Sequence, residues 1–141
     1  MTDPPVSDAR VMLSGMDPYL DPNSYLFCTT ADAALAGRAA SVAIGMFREY
    51  EGHTLILEAA EARALGFAEA APMRRITLNV YSALDGVGLT ASVATSLADQ
   101  GIPCNVVAAF HHDHLFVPAA EADRALQVLR ALQARAKAGG A

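Results

Sequence analysis

Apolar and polar positions alternate along this chain with two periods, and each period predicts a different element. Val6, Ala9, Leu13, Met16 and Leu20 recur at spacings of three and four, which is one face of a helix. Gly15 and Pro18 should end that helix near Ser14. "YLFCTT" (Tyr25–Thr30) is short, aromatic and β-branched and follows the turn signal "DPNS", so a strand is expected there. Ala39, Ala43, Met46, Phe47 and Tyr50 fall on one helical face that Gly52 would close. "HTLIL" (His53–Leu57) reads as a strand, "EAAEARALG" as a short helix with Gly66 just past its end, and "APMRR" as a connector.

The second half carries the same signals more clearly. "RRITLNVYS" alternates Ile76, Leu78 and Val80 with Thr77, Asn79 and Tyr81, the period of a strand. After the loop "ALDGVG", Leu89, Val93 and Leu97 form a helical stripe that Gly101 ends. "PCNVVAAF" (Pro103–Phe110) is a strand, "HHD" a turn and "HLFVP" (His114–Pro118) the return strand. A closing helix from Glu121 to Ala136 turns Ala125, Leu126, Leu129 and Leu132 inward.

The two halves repeat. Laid over one another at an offset of sixty, Leu55, Ala59, Ala60, Glu61 and Ala62 each meet an identical residue. One inserted residue then brings Arg63, Ala64 and Leu65 onto Arg124, Ala125 and Leu126. Alanine-rich helices match easily by chance, but the shared strand–turn–helix context favours duplication. The expected order is strand–helix–strand–helix in residues 1–72 and strand–helix–strand–strand–helix in residues 73–141. The second order is most of a ferredoxin-like α+β unit, an antiparallel sheet with helices on one face; the first is a truncated copy.

Composition narrows the function class. With 141 residues, 53% of them hydrophobic, the chain can bury a core. Ten basic residues against fifteen acidic ones give a net charge of −5, and the basic ones are scattered apart from Arg74–Arg75. That pattern excludes a nucleic-acid or membrane-binding stripe. The N-terminus lacks the apolar run of a signal peptide and no segment has the length of a membrane span, so a cytoplasmic protein is expected. Cys28 and Cys104 sit in apolar strand-like runs and read as buried free thiols.

The loop "LDGVGLT" (Leu84–Thr90) follows the first strand of the second copy, and "GIPCNVV" (Gly101–Val107) opens its second strand. On these residues the second half, Arg74 to about Leu132, resembles the ACT domain. Asp85, Gly88 and Leu89 fit the family's loop pattern, and Asn105 takes the place of its strand asparagine. Two departures stand out: Pro103 and Cys104 separate Gly-Ile from Asn105, and Val87 replaces a common proline. The whole chain resembles a group of small bacterial ACT-domain proteins. The resemblance implies a regulatory module that binds a free amino acid where two units lie side by side.

The residues support the same chemistry. Gly86 and Gly88 let backbone approach a ligand closely. The N–H groups of Leu89 and Thr90, at the positive end of a helix, suit a carboxylate, and Asp85 or Asn105 could take the ammonium group. This amino-acid site requires Asn105 to face the Gly88–Thr90 corner across neighbouring strands. The plainer reading is an ordinary strand-to-helix turn in which Asp85 caps the helix and Asn105 holds a bulge. No cofactor is implied and no catalytic motif occurs, so the output should pass through a homodimer or a regulated partner protein.

"FHHDHLFVP" offers an alternative. His112 and His114 can share one face of a strand, with His111 on the other, and such a pair can supply two ligands to a metal that needs three or four. A metal-binding or metal-dependent protein built on His111, His112 and His114 competes with a solvated hairpin turn, and a purely structural interaction module is the third reading.

Overall fold

The computed structural model describes residues 8–81 and 86–139. By contact they form two compact units: Pro22–Met73, and a second that joins the residues up to Asp21 to those from Arg74 onward. The grouping therefore differs from the simple division at residue 72 drawn from the sequence, because the N-terminal helix packs on helices of the C-terminal unit.

Strand β1 (Pro18–Thr30) is longer than the YLFCTT segment and runs straight through "DPNS". A residue preceding proline is driven out of the helical region toward extended backbone. Pro22 imposes this on Asp21, and Arg74 then takes the Asp21 carbonyl, donating from Nε at 3.0 Å and from Nη2 at 2.8 Å; Asp17, before Pro18, instead has a φ of 42°. Leu20, placed on the helical stripe by its spacing, is thus a strand residue.

In the Pro22–Met73 unit β1 is followed by α2 (Ala33–Ala40), β2 (Gly45–Glu49), β3 (Gly52–Glu58) and α3 (Ala59–Ala64). The strand order is β2-β3-β1, antiparallel throughout. The helix expected to continue to Tyr50 stops at Ala40. Val42 and Ile44 are β-branched and disfavour it, and Met46 and Phe47 pair instead with Leu55 and Thr54. The first copy therefore has the same strand–helix–strand–strand–helix order as the second. Its shortening lies in its helices, eight and six residues long against eleven and sixteen. Leu26, Leu55, Leu57, Ala39 and Ala62 form its core.

The other unit contains α1 (Ala9–Ser14), β4 (Met73–Leu78, from Arg74), α4 (Leu89–Asp99), β5 (Asn105–Ala108), β6 (Asp113–Pro118), a single 3-10 turn (Ala119–Glu121) and α5 (Ala122–Lys137). The order is β1-β4-β6-β5. β4 begins within the segment read as a connector and ends before Asn79, whose N–H donates at 2.7 Å to the carbonyl of Met16. Ile76 and Leu78 of β4 and Leu115 and Val117 of β6 bury one face of the sheet against Val93 and Leu97 of α4 and Leu126 and Leu129 of α5. α1 adds Met12 to that core, Met16 just beyond it adds another side chain, and the helix is capped by Asp8, whose carboxylate accepts from Val11 N–H at 3.1 Å.

Leu129 is fully buried in the middle of this core. Leu129→Ala should destabilise the chain by about 2–5 kcal/mol, the cost of a buried leucine plus the cavity it leaves, read as a fall in the urea midpoint.

Candidate functional site

The corner that opens α4 is built on Gly88. Its φ is 109°, a conformation that L side chains rarely adopt, and it caps the helix without a side-chain acceptor. Ser92 donates to its carbonyl at 2.9 Å, so the first-turn N–H groups point out of the helix with no cap from their own N-cap residue. The first copy differs. There Asp32 caps α2, and its Oδ1 accepts from Ala34 N–H at 2.9 Å and Leu35 N–H at 3.4 Å. The opening at Gly88 has no such side-chain cap from its own N-cap residue.

The corner is partly covered by the chain itself. A Cβ placed on Gly88 would lie 2.8 Å from Ala9 Cβ, so α1 stands directly over this glycine. The Leu89 side chain is buried in the core, while Thr90 and Val87 face solvent and Gly86 is half-buried. Asp85 lies outside the described residues. Gly88→Ala should destabilise by about 1–3 kcal/mol through both the positive φ and the clash. Adding Ala9→Gly should restore only the part due to the clash, as measured by urea denaturation of the double variant.

Asn105 does not face this corner within its own unit. α4 is eleven residues long and so spans about 16 Å. At its far end the Gln100 carbonyl accepts from Arg124 Nη1 at 2.9 Å, and Arg124 lies in the first turn of α5. Asn105 pairs with Phe116, near the end of β6 that leads into α5. Thr77, near the end of β4 that leads to the corner, bonds instead to His114 at the start of β6. Within the unit, corner and asparagine therefore stand toward opposite ends of α4. Asn105 is exposed, with Nδ2 donating to the Phe116 carbonyl at 3.4 Å, which leaves its Oδ1 directed to other partners.

The three histidines spread around the hairpin turn. His111 lies in the turn, tilted against Tyr81 and edge-on to Phe110 with ring centroids at 5.3 and 4.9 Å. The turn is closed by Ala109 N–H donating at 3.0 Å to the His112 carbonyl. His112 and His114 stand edge to face at 6.5 Å. Among the described residues no three His, Cys, Asp or Glu side chains converge on a metal position. His53 sits in the other unit, and Asp113 is buried.

His114 instead joins a polar patch on the sheet. Its Nδ1 shares a hydrogen bond of 2.9 Å with Thr77 Oγ1. Arg75, two residues along the same strand, pairs with the Asp21 carboxylate at 2.8 Å. Sequence reasoning missed this patch; its only signal was the alternation of Arg75 and Thr77 on one face of a strand. Cys28 and Cys104 are free thiols, Cys28 buried and Cys104 only half so. Burial pushes both thiols up from their ordinary value, which opposes the thiolate a nucleophile needs.

Burial, then the charge of Arg75, then His112 hold the His114 imidazole below the ordinary histidine value. The folded chain thus takes up a proton there less readily than the unfolded one. The resulting stabilisation is present above the unfolded-state value and is lost as the pH falls through the folded-state value. Urea midpoints taken from about pH 8 to about pH 5 should fall on the acid side, and His114→Gln should flatten that fall.

Comparison with known proteins fits this architecture. The ACT domain matches twice, over residues 4–74 and again over residues 71–131. No curated protein matches the chain. A Vibrio cholerae protein of unknown function, described as a possible transport protein, is 42% identical with a TM-score of 0.78; the match covers 88% of this chain and 94% of that one. The ligand-free regulatory subunit of aspartate kinase from Thermus thermophilus shares the fold at 10% identity and a TM-score of 0.62, over 82% of this chain and 95% of that one. Escherichia coli aspartokinase III, in complex with aspartate and ADP, does so at 13% identity and a TM-score of 0.60, over 82% of this chain and 32% of that one. Two tandem strand–helix–strand–strand–helix units, each with an antiparallel sheet and matched in turn by the same domain, show that this chain belongs to the ACT domain family.

Proposed function

We propose that this chain is a regulatory ACT-type module that binds a free amino acid between two copies of itself and has no catalytic activity of its own. The observation that carries this reading is the division of labour between the ends of α4. The corner at Gly88–Thr90 offers N–H groups to a carboxylate, and Asn105 Oδ1, at the other end, can accept from an ammonium group. Neither end serves a zwitterion alone.

Pairing of two such units supplies what one lacks. β5 is an edge strand, and Asn105 and Ala108 are exposed. An antiparallel partner strand, related by a two-fold axis, would set the start of one β5 against the end of the other. Each Asn105 then lies at the corner end of its partner. The ligand bridges two chains, so its binding is coupled to their association, and the signal passes through the dimer or to a further protein. A cytoplasmic location accords with this role, and among the described residues no helix is long and apolar enough to cross a membrane.

A thermal-shift screen of the amino acids tests the reading. One amino acid, or a small chemically related group, should raise the melting temperature, by about 2.7 kcal/mol of added stability at a hundredfold excess over Kd. Asn105→Ala, a change on an exposed edge, should abolish the response and leave the unliganded melting temperature unchanged. Sedimentation should show a species of twice the 14.7 kDa chain mass that the ligand strengthens. A stable dimer that no amino acid stabilises, or a ligand response indifferent to Asn105→Ala, would overturn the proposal.

A further inference from the structure

The Pro22–Met73 unit holds a second cavity, of about 300 Å³, between α2 and the edge of its own sheet. Its floor is the small-residue face of α2: Ala33, Ala36, Gly37 and Ala40. Its wall is Met46 and Arg48 of β2 with His53 of β3. The register sets Arg48 directly opposite His53, so the two side chains leave the same face of the sheet side by side.

Arg48 brings unused polar capacity. Arg48 makes no ion pair among the described residues. His53 Nδ1 is buried and has no hydrogen-bond partner, although buried polar atoms are almost always satisfied. The acids nearby are committed elsewhere: Asp32 caps α2, and Glu49 accepts from the Thr54 hydroxyl. No Asp or Glu lines the cavity.

We infer that this cavity binds a short-chain organic monocarboxylate. The carboxylate pairs with the Arg48 guanidinium, which suits it in a bidentate geometry, beside the His53 ring that lines the same wall. The alkyl part lies on the alanine and glycine floor beside Met46. With no acid in the wall, an ammonium group has no counter-ion, so the site favours a simple acid over an amino acid. The cavity is at the small end of the range for ligand sites, which limits the alkyl part to a few carbons. This site is separate from the proposed amino-acid site and does not rest on it.

An NMR titration of the full chain with sodium isobutyrate tests the inference, with backbone amide shifts as the readout. Saturable shifts are expected at Ala33–Ala40 and Met46–His53. Isobutyramide, of the same shape without charge, and valine should each bind about tenfold more weakly, the loss of one charge-assisted pair or the burden of an unpaired ammonium. Arg48→Met keeps a long, flexible side chain on the exposed strand while removing its charge, and should weaken binding by about tenfold or more. Gly37→Leu is the complementary variant. Open space surrounds Gly37, and leucine is the better helix former, so the variant should fold at least as well while filling the cavity and blocking binding. An unchanged spectrum for both variants outside the cavity reports that the fold is intact. Shifts that fail to saturate, or that survive Gly37→Leu, overturn the site. Inorganic phosphate binding as tightly as isobutyrate overturns the carboxylate-plus-alkyl assignment.

Discussion

The C-terminal unit depends on one interaction, the burial of the stripes of α4 and α5 against the inward residues of β4 and β6. Val93, Leu97 and Leu129 have no exposed surface, and neither do Ile76 and Val117. An antiparallel sheet with helices on one face has one way to bury its apolar side, and this packing fixes where α4 begins and ends. The candidate chemistry at its two termini follows. The N-terminus must turn sharply out of the segment after β4, which puts glycine at the corner, and the C-terminus must reach the start of β5, which puts Asn105 there.

The two copies use the same order of elements and spend their polar groups differently. In the first, the opening of α2 is closed by Asp32, so its N–H groups have an acceptor within the chain. In the second, Gly88 has no side chain with which to do so, and α1 packs its Ala9 against the same glycine. The shorter helices of the first copy also cover less of its sheet. Met46, on the face toward α2, remains 55% exposed, and the space between α2 and β2 stays open as the cavity beside Arg48 and His53. A shortened copy is therefore a copy with room in it.

The polar patch around Asp21 shows how a proline-containing segment becomes part of a strand. Local signals in "DPNS" favour a turn. Asp21 is nonetheless 7% exposed, its carbonyl taken by Arg74 and its carboxylate by Arg75. Both arginines come from β4, more than fifty residues away. A tertiary partner of this kind outweighs a turn preference because the backbone carbonyl would otherwise be buried without a donor.

Periodicity by itself determined the strands at His53–Leu57 and around Ile76–Leu78, the stripe Leu89–Val93–Leu97, the closing helix and the repeat, because each is amphipathic over enough residues for one period to dominate. It also located the glycine corner of α4. The edge strand β2 was hidden, since Ala39, Ala43, Met46, Phe47 and Tyr50 satisfy a helical stripe by chance while no buried face holds Phe47 or Tyr50 in place. Tertiary structure alone decided three matters of position: that Asn105 and Gly88 stand at opposite ends of α4, that His111, His112 and His114 diverge around a turn, and that Arg48 and His53 meet across a strand pair. Distance between elements is set by packing and register, and neither is written in the spacing of residues along the chain.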